Sequence, residues 1–390
     1  QNRFLLFFLL YLLCDNKSSR PMKTVRLLTA VFLLWTVPAL AQTEVNRIYD
    51  ASEMMDNIEV AKSMEVFGRA LSSYSQSYLT NYELGYAYYL QEDYTRAGRI
   101  FSRLSRDMSV DDRLYQVWGN SYADRGNDRK AEKIYRRGLK AFPHSGALHM
   151  ELGALAFKDK RYDEALMYFE RGIELDPSYP DNYWRAAGIY LSSPESVWGM
   201  IYGEIYMNMV CNGEQNMEVS RLLAEAYDSN IWHEKNDRGQ DLIYISFSEN
   251  NSIWYDETLK VMRFPYGVAV YEPTLGNAVV KVGLPPFSID ELCRIRDIFV
   301  DEYFSEPNDY GYVYPNLLFD RQRQIKQAGH MEAYSRWILR GSDPEAFNEW
   351  CADNKEQWRA FVEWFNSHEL TVDDEHNFRS WQYTAKLPDK

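Results

Sequence analysis

The chain has 390 residues, with 43 Lys and Arg against 57 Asp and Glu, a formal net charge of −14 and an aromatic fraction of 15%. So many aromatic side chains exclude a wholly disordered chain, and the acidic balance argues against a nucleic-acid partner, because phosphates require a basic surface. Four cysteines are too few for a disulfide scaffold at this length. No apolar run reaches the ~20 residues of a membrane-spanning helix, which excludes a polytopic membrane protein. The length predicts a folded protein of two or three domains.

Two apolar runs open the chain and are interpreted separately. We expect residues 1–21 to be an upstream leader, ahead of a true start at Met22. Residues 22–41 combine Lys23 and Arg26 with an apolar stretch and a small-x-small cleavage pattern, which is typical of a signal peptide. The sequence therefore predicts export to the periplasm or cell envelope, with no integral membrane span after cleavage. A short anchor helix is the alternative interpretation of this segment.

A period of 34 residues organises the first half of the chain. The columns are Gly85, Gly119 and Gly153; Ala97, Ala131 and Ala165; Phe101, Tyr135 and Phe169; Arg103, Arg137 and Arg171; and Pro143 and Pro177. Each glycine permits close approach of a first helix to a second, whose alanine and aromatic residue pack against it. The columns predict helix pairs at 78–111, 112–145 and 146–179.

These columns resemble the tetratricopeptide repeat, with its aromatic or Leu, Gly, Tyr, Ala, Phe and Pro positions. Phe67 and Ala70 fit a degenerate capping repeat at 44–77, and a degenerate repeat or helical segment follows at 180–238. The resemblance implies an α-solenoid, a right-handed superhelix whose inner face is lined by the first helices. It also implies a scaffold that binds peptides or protein segments without chemistry of its own.

The resemblance assigns inner-face positions that would form a binding groove. They are Tyr82, Tyr86, Tyr89, Arg113, Gln116, Asn120, Met150, Phe157 and Trp184. Aromatic rings beside a polar middle are suited to burying the side chains of an extended or helical segment. Alternatively, some of these aromatic side chains pack against neighbouring helices. Only Asn120 falls where relatives grip the acidic C termini of chaperones, so a cytosolic co-chaperone is not expected.

Beyond the repeats the hydrophobic period changes from helical to alternating. We predict a small β-rich segment at 239–284, with antiparallel strands near 243–247, 260–271 and 278–282, where β-branched and aromatic residues are frequent. Helices are expected again at 285–368.

The complete prediction is a mainly α protein. It consists of a tetratricopeptide-repeat α-solenoid followed by a helical C-terminal region with a small antiparallel β insert. Residues 369–390 are polar and are expected to form a loose tail.

The sequence contains no recognisable catalytic motif. His233 and Glu234 begin like a zinc-hydrolase helix, but Asp237 stands where the second His ligand is required. Neither a Gly-rich phosphate loop nor a Gly-x-Ser-x-Gly elbow is present. We therefore predict a non-enzyme with no metal and no cofactor.

The functional hypothesis is an exported scaffold that binds a protein or peptide segment in its repeat groove, within a bacterial envelope assembly. The alternative is an envelope hydrolase whose repeats recruit substrate to a site in residues 240–370.

Overall fold

The described part of this computed structural model comprises residue 64 and residues 77–256, 261–306 and 310–383. It divides into two compact units, the first ending at Leu155 and the second beginning at Ala156. The predicted leader, the signal peptide and nearly all of the predicted capping repeat at 44–77 lie outside the described residues. The fold is mainly helical with short antiparallel strands, which confirms the predicted fold class.

The described helices of the first unit form consecutive pairs. They are α1 (Tyr78–Leu90), α2 (Tyr94–Leu104), α3 (Asp112–Ala123), α4 (Asp128–Ala141) and the first part of α5 (Gly146–Lys158), which crosses the division. In each of the first four, the N-cap side chain accepts a hydrogen bond from the backbone N–H three residues later; these caps are Ser77, Asp93, Asp111 and Asn127. Such caps satisfy N–H groups that have no partner inside the helix.

The glycine columns are explained by the contact between the helices of a pair. A Cβ added to Gly85 would lie 2.7 Å from Cε1 of Phe101, and one added to Gly119 would lie 2.0 Å from Cε1 of Tyr135. Both aromatic rings come from the second helix of the same pair and are buried. The glycine and aromatic columns are therefore two sides of one contact, in which the ring occupies the space that a side chain would need.

Gly119→Ala is expected to lower the free energy of unfolding by about 1–3 kcal/mol, because the added methyl group overpacks the Tyr135 contact. Chemical denaturation of the full chain measures this change. The matched control is Gly188→Ala, where an added Cβ would meet no atom within 4 Å among the described residues. This control should be neutral or stabilising by up to ~1 kcal/mol through helix propensity. Equal effects of the two substitutions would contradict the close-contact account.

The second unit begins with helices and continues into two short hairpins. Its first elements are α6 (Tyr162–Leu175), α7 (Asp181–Leu191), α8 (Ser196–Met209), α9 (Glu214–Asn230), β1 (Ile231–Lys235), β2 (Asp241–Ile245), β3 (Trp254–Asp256) and β4 (Val261–Arg263). Strands β1 and β2 pair antiparallel with Ile231 opposite Ile245, and β3 pairs antiparallel with β4. The β region therefore consists of separate two-stranded sheets and starts at Ile231, eight residues before the predicted segment.

The predicted third strand at 278–282 is wrong, and so is most of the second at 260–271. Residues Gly267–Tyr271 form a π-helix that continues into α10 (Glu272–Val282). The buried side chains Leu275, Ala278 and Val279 of α10 follow helical spacing and form one packed face. The β-branched residues that suggested a strand are tolerated here because burial on that face outweighs their weak local preference.

Helices complete the second unit. They are α11 (Ile289–Tyr303), α12 (Tyr310–Val313), α13 (Leu317–Gln327), α14 (Met331–Leu339), α15 (Pro344–Asp353) and α16 (Lys355–Ser367), followed by a 3₁₀ turn at Ser380–Tyr383. Helix α11 begins with a capping box in which Ser288 and Glu291 each accept a hydrogen bond from the other's backbone N–H. Among the described residues, no helix combines the length and apolar character needed to cross a membrane.

Part of the predicted loose tail is packed into the second unit. Phe378 is fully buried and Tyr383 is 5% exposed. The backbone N–H of Ser380 donates to the Tyr202 hydroxyl at 2.8 Å, and the Ser380 hydroxyl donates to Glu170 at 2.5 Å. The polar composition of 369–390 suggested a tail, but its few aromatic residues provide enough apolar surface to hold residues 378–383 in the core.

Candidate functional site

The predicted groove positions of the first unit lie on the first helix of each pair. Tyr82, Tyr86 and Tyr89 are on α1, Arg113, Gln116 and Asn120 are on α3, and Met150 is on α5. Helix α1 contacts α3 directly, as successive first helices of a repeat protein should. These positions therefore occupy neighbouring surfaces within the first unit.

Two predicted residues of α3 meet a carboxylate of α5. Glu151 Oε1 accepts a hydrogen bond from Gln116 Nε2 at 2.9 Å and another from Asn120 Nδ2 at 3.2 Å. The Tyr135 hydroxyl, from the second helix of the α3–α4 pair, donates to Asn120 Oδ1. We call Gln116, Asn120, Tyr135 and Glu151 the polar centre. Its hydrogen bonds fix the orientation of both amides, because the nitrogen of each amide donates to Glu151 and the oxygen of Asn120 also accepts from Tyr135.

A second inter-repeat hydrogen bond connects α1 to the end of α3. The Tyr89 hydroxyl donates to Asp124 Oδ2 at 2.7 Å. Tyr89 and Asp124 are 35 residues apart, as are Gln116 and Glu151, so both bonds span one repeat plus one residue. Asp124 was expected on the inner face of the repeats, whereas Glu151 was not among the predicted groove residues, although this shared offset was a signal that could have found it.

The pKa values of the two tyrosine hydroxyls keep them as hydrogen-bond donors. Burial raises the pKa of Tyr89 far above its usual range, and its hydrogen bond to Asp124 raises it further. Burial also raises the pKa of Tyr135, and the neighbouring carboxylates of Glu151 and Asp124 add to this effect. Both phenols therefore remain protonated across the physiological pH range, so the Tyr89–Asp124 bond and the polar centre keep these donors at every physiological pH.

Three rings form what we call the aromatic end, which consists of Tyr86, Tyr89 and Tyr94. The Tyr86 and Tyr89 rings are stacked with centroids 6.1 Å apart, and Tyr94 packs 5.6 Å from Tyr89. Tyr86 and Tyr89 are half-buried, so part of each ring faces solvent. Aromatic rings with restrained geometry offer contact area at a small entropic cost.

Tyr82 and Met150 contribute little surface to a groove, since each is only 8% exposed. The Tyr82 ring packs 5.9 Å from Phe101 in the α1–α2 pair. Tyr82 therefore packs against a neighbouring helix, which was the alternative to a position in the groove. Arg113 is half-buried on α3.

Phe157 and Trp184 belong to the second unit and are described within it. Phe157 is exposed and meets the Tyr162 ring edge-on at 5.4 Å. Trp184 is half-buried, stacks on Tyr206 at 6.4 Å, and carries the Arg185 guanidinium 4.1 Å from its ring centroid. Both side chains retain solvent-facing surface.

The residues that suggested a zinc hydrolase do not form such a site. His233 lies on strand β1 rather than on a helix, and its Nδ1 is 3.1 Å from Asp241 Oδ1. Within residues 77–256, 261–306 and 310–383, no three His, Cys, Asp or Glu side chains converge in a way that could hold a metal ion. A cavity of about 20 Å³ beside Glu204 and Arg296 has room for little more than one water molecule.

The described helix pairs share their N-caps, their glycine–aromatic contacts and the offset of their inter-repeat hydrogen bonds. These shared features define a protein built from repeated helix pairs. The family model described as tetratricopeptide repeat matches residues 117–180. Residues 117–180 therefore carry a tetratricopeptide-repeat segment, in agreement with the resemblance drawn from the sequence columns.

Several solved structures of tetratricopeptide repeat proteins are similar to this chain. PilF of Pseudomonas aeruginosa is 15% identical, with 48% of this chain and 85% of that chain covered and a TM-score of 0.42. The C-terminal part of a repeat protein from Cytophaga hutchinsonii is 13% identical, with 80% and 98% covered and a TM-score of 0.39. A thermophilic repeat protein from Thermus thermophilus is 15% identical, with 47% and 98% covered and a TM-score of 0.39. No curated protein matches the sequence significantly.

Proposed function

We propose that the chain is an exported scaffold that binds a peptide or protein segment at the polar centre and aromatic end of its first unit, within a bacterial envelope assembly. Tetratricopeptide repeats are in general interaction scaffolds, which supports a protein partner. The observation that carries the proposal is the polar centre, where half-buried amides on α3 are held in position by Glu151 of α5.

The polar centre suits recognition of a peptide backbone. A side-chain amide has two N–H donors, and Gln116 and Asn120 each direct one of them to Glu151. The second N–H of each amide is available to a backbone carbonyl of a bound segment. Because the amides are already ordered, binding costs less side-chain entropy than it would with freely rotating groups.

The aromatic end suits recognition of a side chain. Tyr86 and Tyr89 are stacked and half-buried, and the hydroxyl of Tyr89 is already bonded to Asp124. A hydrophobic side chain of the segment would cover the exposed ring faces, while the polar centre holds its backbone. This combination of aromatic anchor and amide donors is a common basis for peptide recognition.

Export rests on residues 22–41, with their basic start, apolar stretch and small-x-small pattern. N-terminal sequencing of the mature protein from the envelope fraction tests it, with Gln42 expected as the first residue. A mature chain that retains Met22 would contradict export by this route.

The double variant Gln116→Ala with Asn120→Ala is expected to weaken peptide binding by about tenfold or more, corresponding to ~1.4 kcal/mol or more. The reason is the loss of both amide donors at the centre of the site. Peptides selected from a random library on the wild-type chain supply the ligand, and fluorescence anisotropy gives the dissociation constants.

Lys133→Ala is the matched control, since Lys133 is exposed on the second helix α4 and should leave binding unchanged. Thermal unfolding of the double variant checks that it is folded, because Tyr135 and Glu151 lose hydrogen-bond partners. A folded double variant that binds the selected peptides as tightly as wild type would contradict the proposed site.

A further inference from the structure

Two buried arginines of the second unit lack a carboxylate partner among the described residues. Arg321 on α13 is 3% exposed, and Arg340 at the end of α14 is 9% exposed. In the same unit, the buried Arg296 has Glu204 2.6 Å from its guanidinium. Buried guanidinium groups are usually paired because desolvation of the charge is costly. Arg321 and Arg340 are therefore exceptions that require an explanation.

One edge of the Arg321 guanidinium meets no acceptor from the described residues. Its Cζ lies 4.8 Å from the Trp364 ring centroid and 5.1 Å from that of Phe365. Its Nε and Nη2 are buried and, in the described part of the chain, neither has a hydrogen-bond partner. These two nitrogens share the edge of the guanidinium that donates parallel hydrogen bonds to the two oxygens of a carboxylate or phosphate.

Among the residues that the structure describes, the hydrogen-bond acceptors of Arg340 are neutral. It donates to the backbone oxygen of Trp337 at 2.7 Å and to Asn216 Oδ1. Its guanidinium lies 5.1 Å from the Trp337 ring centroid, and Trp337 in turn packs 5.3 Å from Phe365, the ring beside Arg321. The two guanidinium groups are thus joined by adjacent aromatic rings of α14 and α16.

Cys211 lies near both arginines, in the turn between α8 and α9. Burial raises the pKa of its thiol, and the carboxylate of Glu369 raises it further, whereas the charges of Arg340 and Arg321 act in the opposite direction. Glu369 is exposed, and Cys211 is half-buried. Both cationic groups therefore lie close enough to Cys211 for their charges to act on its thiol, and Cys211 itself borders solvent.

We propose that Arg321 and Arg340 bind an oxyanion with two parallel acceptor oxygens, a carboxylate or a phosphate, where α13, α14 and α16 meet. The open edge of Arg321 makes two hydrogen bonds to the anion, and Arg340 supplies the second positive charge. Trp364, which packs against Arg321, is half-buried, so the solvent-facing side of this ring is where the anion would approach Arg321. The bound anion neutralises Arg321 in the way that the Glu204 carboxylate neutralises Arg296.

The test is thermal unfolding of the full chain in increasing inorganic phosphate, and separately in acetate, with sodium chloride holding the ionic strength constant. For the wild type, a saturable rise in Tm is expected with at least one of the two anions, and the comparison of the two identifies which oxyanion is preferred. Arg321→Met should abolish the rise, and Arg321→Lys should weaken the apparent affinity by about tenfold, because lysine keeps the charge but lacks the paired donors.

The matched control is Arg323→Met on the same helix, where Arg323 is exposed and paired with Asp320 at 2.9 Å. It should leave the anion effect unchanged. Arg321→Met removes a buried unpaired charge with little change in side-chain length, so it is expected to fold, and far-UV circular dichroism verifies this. If it does not fold, the Arg321→Lys affinity decides the outcome.

Two results would overturn the proposal. One is an equal rise in Tm for the wild type and the Arg321 variants. The other is the absence of any saturable rise in the wild type. If a rise then appears in Glu369→Gln, the carboxylate of Glu369 fills the site in the wild type, which therefore takes no external anion.

Discussion

Arg296→Met is expected to lower the free energy of unfolding by about 3–5 kcal/mol, because it leaves the Glu204 carboxylate buried without its cation. Arg296 Nη2 lies 2.6 Å and Nη1 3.0 Å from the two oxygens of Glu204, a bidentate pair with both side chains almost fully buried. Burial works against the charge on Arg296, but the Glu204 carboxylate raises the pKa of the guanidinium well above its usual range. Urea denaturation of the variant measures the effect.

Glu204 is also the acceptor of a wider network. Gln322 Nε2 donates to it at 2.6 Å and the Tyr334 hydroxyl at 2.8 Å. Combining Arg296→Met with Glu204→Gln removes both charges and leaves an amide oxygen for these donors. The double variant should therefore recover most of the lost stability, since the main penalty is an uncompensated charge.

Arg323→Met is the control for the loss of an exposed ion pair. Arg323 is exposed and Asp320 is half-buried at the surface, and such pairs contribute about 1 kcal/mol or less. A loss for Arg296→Met no larger than that for Arg323→Met would contradict the account of the buried pair as the electrostatic centre of the second unit.

Phe378→Ala is expected to lower the free energy of unfolding by about 3–5 kcal/mol, because truncating a fully buried ring leaves a cavity. The Phe378 ring packs against Trp198, Tyr202 and Tyr383 at centroid distances of 6.1, 5.9 and 6.0 Å. The Tyr383 hydroxyl donates to the backbone oxygen of Pro315 at 2.5 Å, which attaches the same segment at its other end. Chemical denaturation again provides the measurement.

Glu375→Ala is the control within the same segment, since Glu375 is exposed and should change stability by less than ~0.5 kcal/mol. A similarly small effect of Phe378→Ala would mean that residues 378–383 are a loose tail after all, as their composition suggested.

The repeats could be predicted from the sequence because their packing is local and periodic. Gly119 and Tyr135 are 16 residues apart, in one helix pair, and the same contact recurs at Gly85 and Phe101. A contact that repeats at a constant interval leaves a column in the sequence. No such column marks residues 278–282, where Ala278 and Val279 become helical because of the surfaces that α10 buries.

The candidate site was predicted in part for the same reason. Gln116 and Asn120 occupy inner-face positions of a repeat, whereas their acceptor Glu151 comes from the next repeat, so the contact becomes apparent only when neighbouring repeats are compared at the 35-residue offset. Arg321 and Arg340 could not be predicted at all, because nothing near them in the sequence indicates that long-range packing buries both without a carboxylate partner from the described part of the chain.

Photocrosslinking tests most directly whether a peptide binds at the polar centre and the aromatic end. A photoreactive amino acid is placed in turn at positions 86, 116 and 133 of the full chain, and a selected peptide is the ligand. Tyr86 and Gln116 lie at the aromatic end and the polar centre, whereas Lys133 lies on the second helix α4. The account predicts that the peptide is attached from positions 86 and 116 and not from position 133. Attachment from position 133 alone, or equally from all three, would contradict binding at this site.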